Sequence, residues 1–434
     1  MTEPTPWFAL IYGAPLALVL WFYLRRLRRR ETHASATLQR SIRAGLTEPV
    51  SLHPVVDPML CVGSGSCVRV CPEGTLGVVN GKAYLVNPTV CIGHGACAAA
   101  CPVEAIKLVF GTERRGVDIP YVAPNFETNV PGIFIAGELG GMGLIRKCTE
   151  QGRQAIESVS RYRAEAGELD VVIVGAGPAG LSATLGAMEK KLRFVTIEQE
   201  ESLGGTVYHY PRNKVVMTQP VALPLVGKVK LSQLSKEELL EVWLGIVKRH
   251  SVPISFGQCM ENITPVERGF VVKTTTDEYK TRSVLLAIGR RGTPRKLGVP
   301  GEEHPYVVYK LIDAEQYQDN RVLVVGGGDS AIEAAVAIAV QPGAHATLSY
   351  RGEAFARVKP QNRERLAEAE RACQLTVLLR SNVVRIEPRR AFLELDGQTL
   401  PVDNDVVIVC AGGVLPTPML KEIGIEVETK FGTE

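Results

Sequence analysis

The longest apolar run of the chain lies near its beginning, where Trp7–Leu24 holds eighteen residues without a charge. As a helix this run would span about 27 Å, close to the ~30 Å thickness of the hydrocarbon core of a bilayer. Residues 25–30 then read Arg-Arg-Leu-Arg-Arg-Arg, and such basic runs favour the cytoplasmic side of a membrane. A cleaved signal peptide would carry its basic residues before the apolar run. We therefore expect residues 1–30 to be a single-pass transmembrane anchor in membrane lipid, with the catalytic part facing the cytoplasm.

After residue 165, short apolar runs alternate with helical stretches, as in α/β domains. The run 170–175 leads into a turn of the pattern G-x-G-x-x-G, followed by a helical stretch, a strand and Glu198. This order is typical of dinucleotide binding, because the glycines let the backbone approach a pyrophosphate and the acid can bind ribose hydroxyls. The candidate ligands in this turn are Gly175, Gly177, Pro178, Ala179 and Gly180.

A second apolar run, 321–325, leads into the sequence Gly-Gly-Gly-Asp-Ser-Ala and another helical stretch. Arg351 follows the next strand in place of an acid, and Arg357 comes six residues later. Arginine at this place fits the 2′-phosphate of NADP, so we expect NADP(H) here rather than NAD. The candidate ligands in this turn are Gly326, Gly328, Asp329, Ser330 and Ala331.

Six of the ten cysteines belong to an internal repeat between residues 61 and 101. The segment CVGSGSCVRVCP (61–72) recurs thirty residues later as CIGHGACAAACP (91–102). The repeat resembles the two-cluster bacterial ferredoxins, in which the fourth cysteine of each run ligates the other cluster. By that crossed rule, one iron–sulfur cluster is held by Cys61, Cys67 and Cys101, and the other by Cys91, Cys97 and Cys71.

The repeat departs from the ferredoxin pattern at its second cysteine, where this chain has Ser64 and His94. Three thiolates at each site suit a 3Fe-4S cluster, which lacks one corner. They equally suit a 4Fe-4S cluster whose fourth iron is bound by Ser64, His94 or solvent. A ferredoxin relic that has lost its metal fits less well. A zinc site also fits less well, since zinc motifs favour paired Cys-x2-4-Cys spacing.

The two glycine-rich turns, with the apolar strand 285–289 between them, resemble the thioredoxin-reductase-like flavoproteins. Residues 204–211, which include Gly205, look most like the branch of bacillithiol disulfide reductases and ferredoxin–NADP reductases. The resemblance implies FAD at the first turn and NADP(H) at the second.

Chains of that family end with a strand, Ala-Gly-Asp and a helix beside the flavin, and here the matching segment is 132–152. It contains Gly137, and Glu138 stands where the family has an aspartate against the ribityl chain. We interpret this early position as a circular permutation. The tetrapeptide Phe-Gly-Thr-Glu occurs at both 110–113 and 431–434, as a permutation scar would.

The predicted fold class is α/β, with two Rossmann-like dinucleotide-binding domains, a small α+β ferredoxin-like domain and an N-terminal transmembrane helix. The predicted boundaries are 1–30 for the anchor, 50–110 for the iron–sulfur domain, 111–295 for the FAD domain with 111–165 as its permuted segment, 296–405 for the NAD(P) domain and 406–434 for a return to the FAD domain.

The chain has no Cys-x2-Cys pair and therefore lacks the dithiol relay of thioredoxin reductases. Cys148 is the one catalytic thiol candidate, because we place it at a helix start beside the flavin, where thiol pKa values fall. Flavin can accept a hydride and release single electrons, which suits iron–sulfur clusters. We predict an NADPH-dependent flavoprotein that moves electrons between NADPH, FAD, the clusters and an external carrier. A low-molecular-weight disulfide reductase and a non-catalytic redox sensor are the alternatives.

Composition narrows the choice of partners. The chain of 434 residues has 49 Lys and Arg against 46 Asp and Glu, a net charge of +3, which excludes nucleic-acid binding through bulk positive charge. We expect a redox carrier protein or a membrane electron acceptor as the partner, and a homodimer as the assembly.

Overall fold

The computed structural model describes residues 6–49, 52–113, 115–141, 143–162, 164, 168–210, 215–216, 220–229, 234–290, 292–355 and 358–432, without the side chains of residues 6–11, 215 and 293. The chain forms two compact units. The smaller comprises Met1–Arg115, Ala354–Pro360 and Phe431–Glu434, and the larger comprises Gly116–Glu353 and Gln361–Lys430.

The smaller unit is built from two antiparallel strand pairs, two short helices and one long helix. Its elements are α1 (Pro6–Arg43), β1 (His53–Val56), α2 (Ser66–Val70), β2 (Leu76–Val79), β3 (Lys82–Leu85), α3 (Ala96–Ala99) and β4 (Ile106–Val109). β1 pairs with β4 and β2 pairs with β3. Gly432 N donates to Phe110 O at 2.8 Å, so the beginnings of the two Phe-Gly-Thr-Glu copies lie side by side. Residues 433–434 of the second copy lie outside the described residues.

Helix α1 continues from the apolar run through the arginine run to Arg43. Within the described residues, every helix falls short of the combined length and apolar character that crossing a bilayer requires. The prediction of a transmembrane anchor at residues 1–30, with its membrane localisation, is therefore wrong.

The second half of α1 packs against the β2–β3 hairpin. Gly77 permits a close approach, because a Cβ at this position would lie 2.6 Å from Ala34 Cβ. Ser41, which is buried, donates from its Oγ to Val86 O at 2.9 Å. The residues that follow the arginine run are thus part of the smaller unit.

The first half of the larger unit centres on a mixed sheet. Its elements are β5 (Val117–Pro120), β6 (Ile133–Ile135), α4 (Ile145–Val159), β7 (Leu169–Val174), α5 (Pro178–Glu189), β8 (Phe194–Ile197), β9 (Val215–Val216), β10 (Val221–Leu223), β11 (Gly227–Val229), β12 (Leu234–Ser235), α6 (Lys236–His250), β13 (Met260–Val266), β14 (Gly269–Thr274), β15 (Glu278–Leu286) and β16 (Thr293–Pro294). The sheet has the order β13-β14-β15-β7-β8, with β6 also paired to β15. β6, β7 and β8 run parallel to β15. The side chains of β6 and β7 are almost fully buried, as expected for strands covered on both faces.

The predicted permuted segment lies in this sheet and its helix layer. Strand β6 pairs with Val284–Leu286 of β15, and α4 packs against α5. The two helices touch at Gly152, where a Cβ would lie 2.0 Å from Ala179 O. Residues 132–152 therefore lie beside the first glycine-rich turn, although the permutation itself stays a prediction.

The second half of the larger unit contains a parallel sheet of the order β17-β24-β18-β19-β20. Its elements are β17 (Val307–Val308), β18 (Arg321–Val325), α7 (Asp329–Ala339), β19 (His345–Tyr350), α8 (Pro360–Arg371), β20 (Leu375–Leu379), β21 (Ser381–Glu387), β22 (Arg390–Leu395), β23 (Gln398–Asp403), β24 (Val406–Val409), β25 (Gly413–Val414), α9 (Thr417–Glu422) and β26 (Val427–Lys430). β16 pairs with β25 where the chain enters and leaves this half, and β26 returns to pair with β5.

Candidate functional site

The first glycine-rich turn connects β7 to α5 through backbone that only glycine fits. Gly175 has φ +103°, and a Cβ there would lie 2.7 Å from Ala287 O. A Cβ at Gly180 would lie 1.7 Å from Gly175 O, so α5 packs directly on the turn. Pro178 is the first residue of α5. The first N–H groups of a helix have no partner within it, and here they face the turn.

Two further predicted ligands converge on this turn. A Cβ at Gly205 would lie 3.2 Å from Gly177 Cα, and one at Gly137 would lie 3.1 Å from Ala179 Cβ. Beside Gly177 itself the nearest atoms to such a Cβ are 3.9 Å away. The backbone here thus leaves room at a helix start, which fits the pyrophosphate of a dinucleotide.

Glu198 directly follows β8 and reaches the same turn. Its Oε2 accepts a hydrogen bond from Ala176 N at 2.7 Å and its Oε1 accepts one from Glu200 N at 3.1 Å. Burial raises the pKa of this carboxyl group, while the backbone hydrogen bonds lower it. The position fits the predicted contact with ribose hydroxyls.

Glu138 lies in a polar cluster beside the first turn, which we call the Glu138 cluster: the buried Cys148 with the half-buried Glu138, Tyr210 and Arg290. Burial raises the pKa of the Glu138 carboxyl, and Arg290 opposes that shift through its charge and its backbone N–H. Burial also lowers the pKa of the Arg290 guanidinium, which donates from Nη2 to Asp118 O at 2.8 Å. Arg290 was not predicted as a site residue. The sequence signal that could have indicated it is its position directly after the apolar strand 285–289.

Cys148 lies in the first turn of α4, as predicted, but its thiol has the opposite character to the one expected. Burial and the neighbouring Glu138 carboxylate raise the pKa of Cys148 to about 12, and 5% of the residue is exposed. The prediction of a lowered pKa is wrong, because desolvation outweighs the effect of the helix start.

We expect Cys148 to resist alkylation in the folded protein. With a pKa of about 12, roughly one thiol in 10,000 is ionised at pH 8, and thiolate is the reactive form. Iodoacetamide at pH 8 followed by peptide mass spectrometry should modify the exposed Cys373 and leave Cys148 unmodified. Denaturant should make both react, and equal modification of the two in the folded state would contradict the assignment.

The second glycine-rich turn repeats this geometry between β18 and α7. Gly326 has φ +150°, and a Cβ there would lie 2.4 Å from Cys410 O and 3.0 Å from Ala331 Cβ. Gly328 caps α7, which begins at Asp329 and continues with Ser330. Asn362 donates to Asp329 Oδ1 at 2.7 Å, which holds that carboxylate at the helix start.

The predicted NADP(H)-selecting arginines are placed only in part. Arg351 is exposed at the end of β19, next to Tyr350, and Arg357 lies outside the described residues. The ring of Tyr350 lies against the turn, because a Cβ at Gly327 would be 2.1 Å from it. A tyrosine ring beside the second turn was not foreseen, since its position depends on packing between β18 and β19.

The six repeat cysteines lie together in the smaller unit. Cys61, Cys67, Cys91 and Cys97 are buried, and Cys71 and Cys101 are half-buried. Helices α2 and α3 each begin after a left-handed glycine, so that Cys67 and Cys97 lie in the first turn of a helix. Desolvation raises the pKa of the Cys67, Cys91 and Cys97 thiols.

The second cysteine set of the crossed rule lines one pocket. Cys71, Cys91 and Cys97 line it together with Thr75 and His94. In the first set, two sulfurs accept hydrogen bonds from the backbone: Ala83 N donates to Cys61 Sγ at 3.4 Å and Ala105 N donates to Cys101 Sγ at 3.3 Å. Ser64 Oγ lies 3.4 Å from Ser66 Oγ. Thiolates around a shared pocket fit an iron–sulfur cluster, in which each sulfur binds its own iron. In the described part of the chain, no three His, Cys, Asp or Glu side chains converge on a single metal-ion position.

Two parts of the chain match known protein families. Residues 172–432 match the family model of pyridine nucleotide-disulphide oxidoreductases, and residues 53–102 match that of 4Fe-4S dicluster domains. The chain is 25% identical over 276 residues to bacilliredoxin reductase Bdr of Bacillus subtilis, covering 60% of this chain and 82% of that protein. It is 28% identical over 269 residues to a ferredoxin–NADP reductase of Ignicoccus hospitalis, covering 60% and 83% respectively. The structure of bacillithiol disulfide reductase Bdr (YpdA) from Staphylococcus aureus matches with a TM-score of 0.53 and 25% identity, over 60% of this chain and 81% of that one.

Proposed function

Because the chain belongs to the pyridine nucleotide-disulphide oxidoreductase family, we propose that it passes electrons from NADPH through FAD to its own clusters and on to an external redox carrier. It is an NAD(P)H-dependent FAD oxidoreductase, and its cofactors are FAD, NADP(H) and iron–sulfur clusters. Bound FAD would accept the two electrons of a hydride and release them singly, as one-electron clusters require.

The observation that carries this proposal is the distribution of cysteines. Three of the six repeat cysteines line one pocket. The four cysteines outside the repeat, Cys148, Cys259, Cys373 and Cys410, form no Cys-x2-Cys pair. A dithiol exit from the flavin is therefore missing from the sequence, whereas a thiolate set for a cluster is in place. We assign the first glycine-rich turn with Glu198, Gly205, Gly137 and Glu138 to FAD, and the second with Arg351 to NADP(H).

The predicted domain boundaries and the circular permutation are part of this proposal. The pairing of β6 with β15 and the contact of α4 with α5 support the assignment of 111–165 to the FAD domain. We also propose a homodimer, as expected for the resemblance to thioredoxin-reductase-like flavoproteins.

An anaerobic NADPH titration of the purified holoprotein tests the proposal. Flavin absorbance and the EPR signals of the clusters are followed in the same sample, and we expect NADPH to bleach the flavin and reduce the clusters. Dithionite is the control that shows which clusters can be reduced. Bleached flavin beside clusters that respond to dithionite and never to NADPH would overturn the proposed electron path.

Reduction of a low-molecular-weight disulfide is the second candidate, and the similarity to bacilliredoxin reductase Bdr favours it. Cys148 is the cysteine beside the predicted flavin site, so this function predicts disulfide-dependent NADPH oxidation that is lost in Cys148→Ala. The raised pKa of Cys148 makes it a poor thiolate nucleophile.

We expect Arg351→Ala to weaken NADPH selectively. A charge-assisted hydrogen bond to phosphate contributes about 1.5–3 kcal/mol, which corresponds to a roughly 10–100-fold higher KM for NADPH with little change for NADH. Arg371→Ala, which removes an exposed arginine of α8, is the matched control for charge. Steady-state kinetics with both nucleotides measure the effect, and equal changes for NADPH and NADH would contradict a 2′-phosphate contact.

A further inference from the structure

The side chain of Thr75 lies beside a cysteine of the pocket. Its Oγ1 is 3.2 Å from Cys71 Sγ, and Thr75 lines the pocket together with Cys71 and Cys91. The residue is 2% exposed. Its carbonyl oxygen accepts hydrogen bonds from Val86 N at 2.9 Å and Asn87 N at 3.1 Å, which fix the backbone that carries the hydroxyl.

The other half of the repeat lacks this hydroxyl. In the alignment of 61–79 with 91–109, the counterpart of Thr75 is Ala105, which is 1% exposed. Ala105 contributes a backbone N–H to Cys101 Sγ and only a methyl group as its side chain. The set of Cys71, Cys91 and Cys97 therefore has a side-chain hydroxyl as a hydrogen-bond donor, whereas the sulfurs of the other set accept from backbone N–H groups.

Cluster-bound cysteines are thiolates, which accept hydrogen bonds, so the Thr75 hydroxyl must donate when a cluster is present. A donor to a ligating sulfur stabilises the more negative, reduced state and raises the reduction potential of the cluster. Ala105 supplies no such side-chain donor to the other set.

We propose that the two clusters differ in reduction potential and that Thr75 makes the cluster of Cys71, Cys91 and Cys97 the more readily reduced one. Electrons that enter the smaller unit then collect on this cluster before they leave for the external carrier. This inference rests on the proposed function for the presence of reducible clusters, and it goes further by ordering them.

Potentiometric titration of the full-length holoprotein, poised with dithionite and mediators and followed by EPR, tests this order. We expect Thr75→Val, which keeps the shape of the side chain without the hydroxyl, to lower the midpoint potential of one cluster and leave the other unchanged. Thr75→Ser keeps the donor and should behave like the unmodified protein. Ala105→Thr places a hydroxyl in the other set and should raise the lower midpoint potential.

Iron and acid-labile sulfide per chain are measured for every variant. Thr75→Val with full cluster content and two unchanged midpoints would overturn the proposal, as would a Thr75→Ser shift as large as that of Thr75→Val. If Thr75→Val assembles no cluster, Thr75→Ser and Ala105→Thr decide the question alone. The potentials are set without NADPH, so failure of the NADPH-to-cluster path is detected separately in the NADPH titration.

Discussion

Replacement of Gly152 by alanine should destabilise the larger unit strongly and weaken its hold on FAD. A Cβ at this position would lie 2.0 Å from Ala179 O and 2.8 Å from Ala179 C. Backbone atoms cannot rotate away, so α4 must move off α5 and open the packing around Ala155 and Ile156, which are 0% and 1% exposed. Overpacking of a close helix contact costs about 3 kcal/mol, and Ala179 belongs to the first glycine-rich turn. Denaturant unfolding and the FAD content after gel filtration measure the two effects.

Gly245→Ala is the matched control for this experiment. Gly245 also lies inside a helix, α6, but a Cβ there would meet nothing within 4 Å. Alanine is the better helix former, so we expect this variant to gain about 0.5–1 kcal/mol in the free energy of unfolding and to keep its FAD. Similar behaviour of the two variants would contradict the close contact of α4 and α5.

The glycine-rich turns could be predicted from the sequence because the backbone itself demands them. Gly175 and Gly326 adopt positive φ beside a strand, and Gly180 packs against a carbonyl oxygen, so each position restricts the residue type locally. The apolar runs of β7 and β18 mark strands buried on both faces. The α/β dinucleotide-binding fold is therefore confirmed, and the roles of the individual ligands stay predictions.

The Glu138 cluster could not be predicted, because it is assembled over long distances in the sequence. Glu138 follows β6 and Arg290 follows β15, and the two meet only because these strands pair in parallel. The pKa of Cys148 depends on the same neighbourhood, since the burial that raises it is a property of the packed structure. The position of Cys148 at a helix start therefore did not predict its pKa.

The membrane prediction considered only the first part of a longer helix. Hydropathy treated residues 7–24 as an isolated element that ended at the arginines. In the structure α1 continues to Arg43. In its second half, Ala34 packs against Gly77 of β2, and Ser41 donates a hydrogen bond to Val86 O, just after β3. The apolar run alone does not reveal that the helix continues past the arginines or that its second half belongs to the smaller unit.

Loss of one pocket cysteine should separate hydride transfer from electron delivery. Cys97 lies in the first turn of α3 and lines the pocket, so Cys97→Ala removes a ligand from one cluster set. We expect lower iron and sulfide content and a more than about 100-fold fall in NADPH-dependent reduction of cytochrome c, a one-electron acceptor. Bleaching of the flavin by NADPH in stopped-flow experiments should keep its rate, because the dinucleotide turns lie in the other unit.

Cys373→Ala is the matched control for the Cys97 variant, since it removes an exposed cysteine of the larger unit and should leave all of these quantities unchanged. The comparison separates two routes out of the flavin. If Cys97→Ala loses its cluster and still reduces cytochrome c at the full rate, electrons leave the flavin directly and the cluster of Cys71, Cys91 and Cys97 is no part of the path. If both the rate of cytochrome c reduction and the cluster signal disappear while flavin bleaching persists, the cysteine set is the obligatory exit.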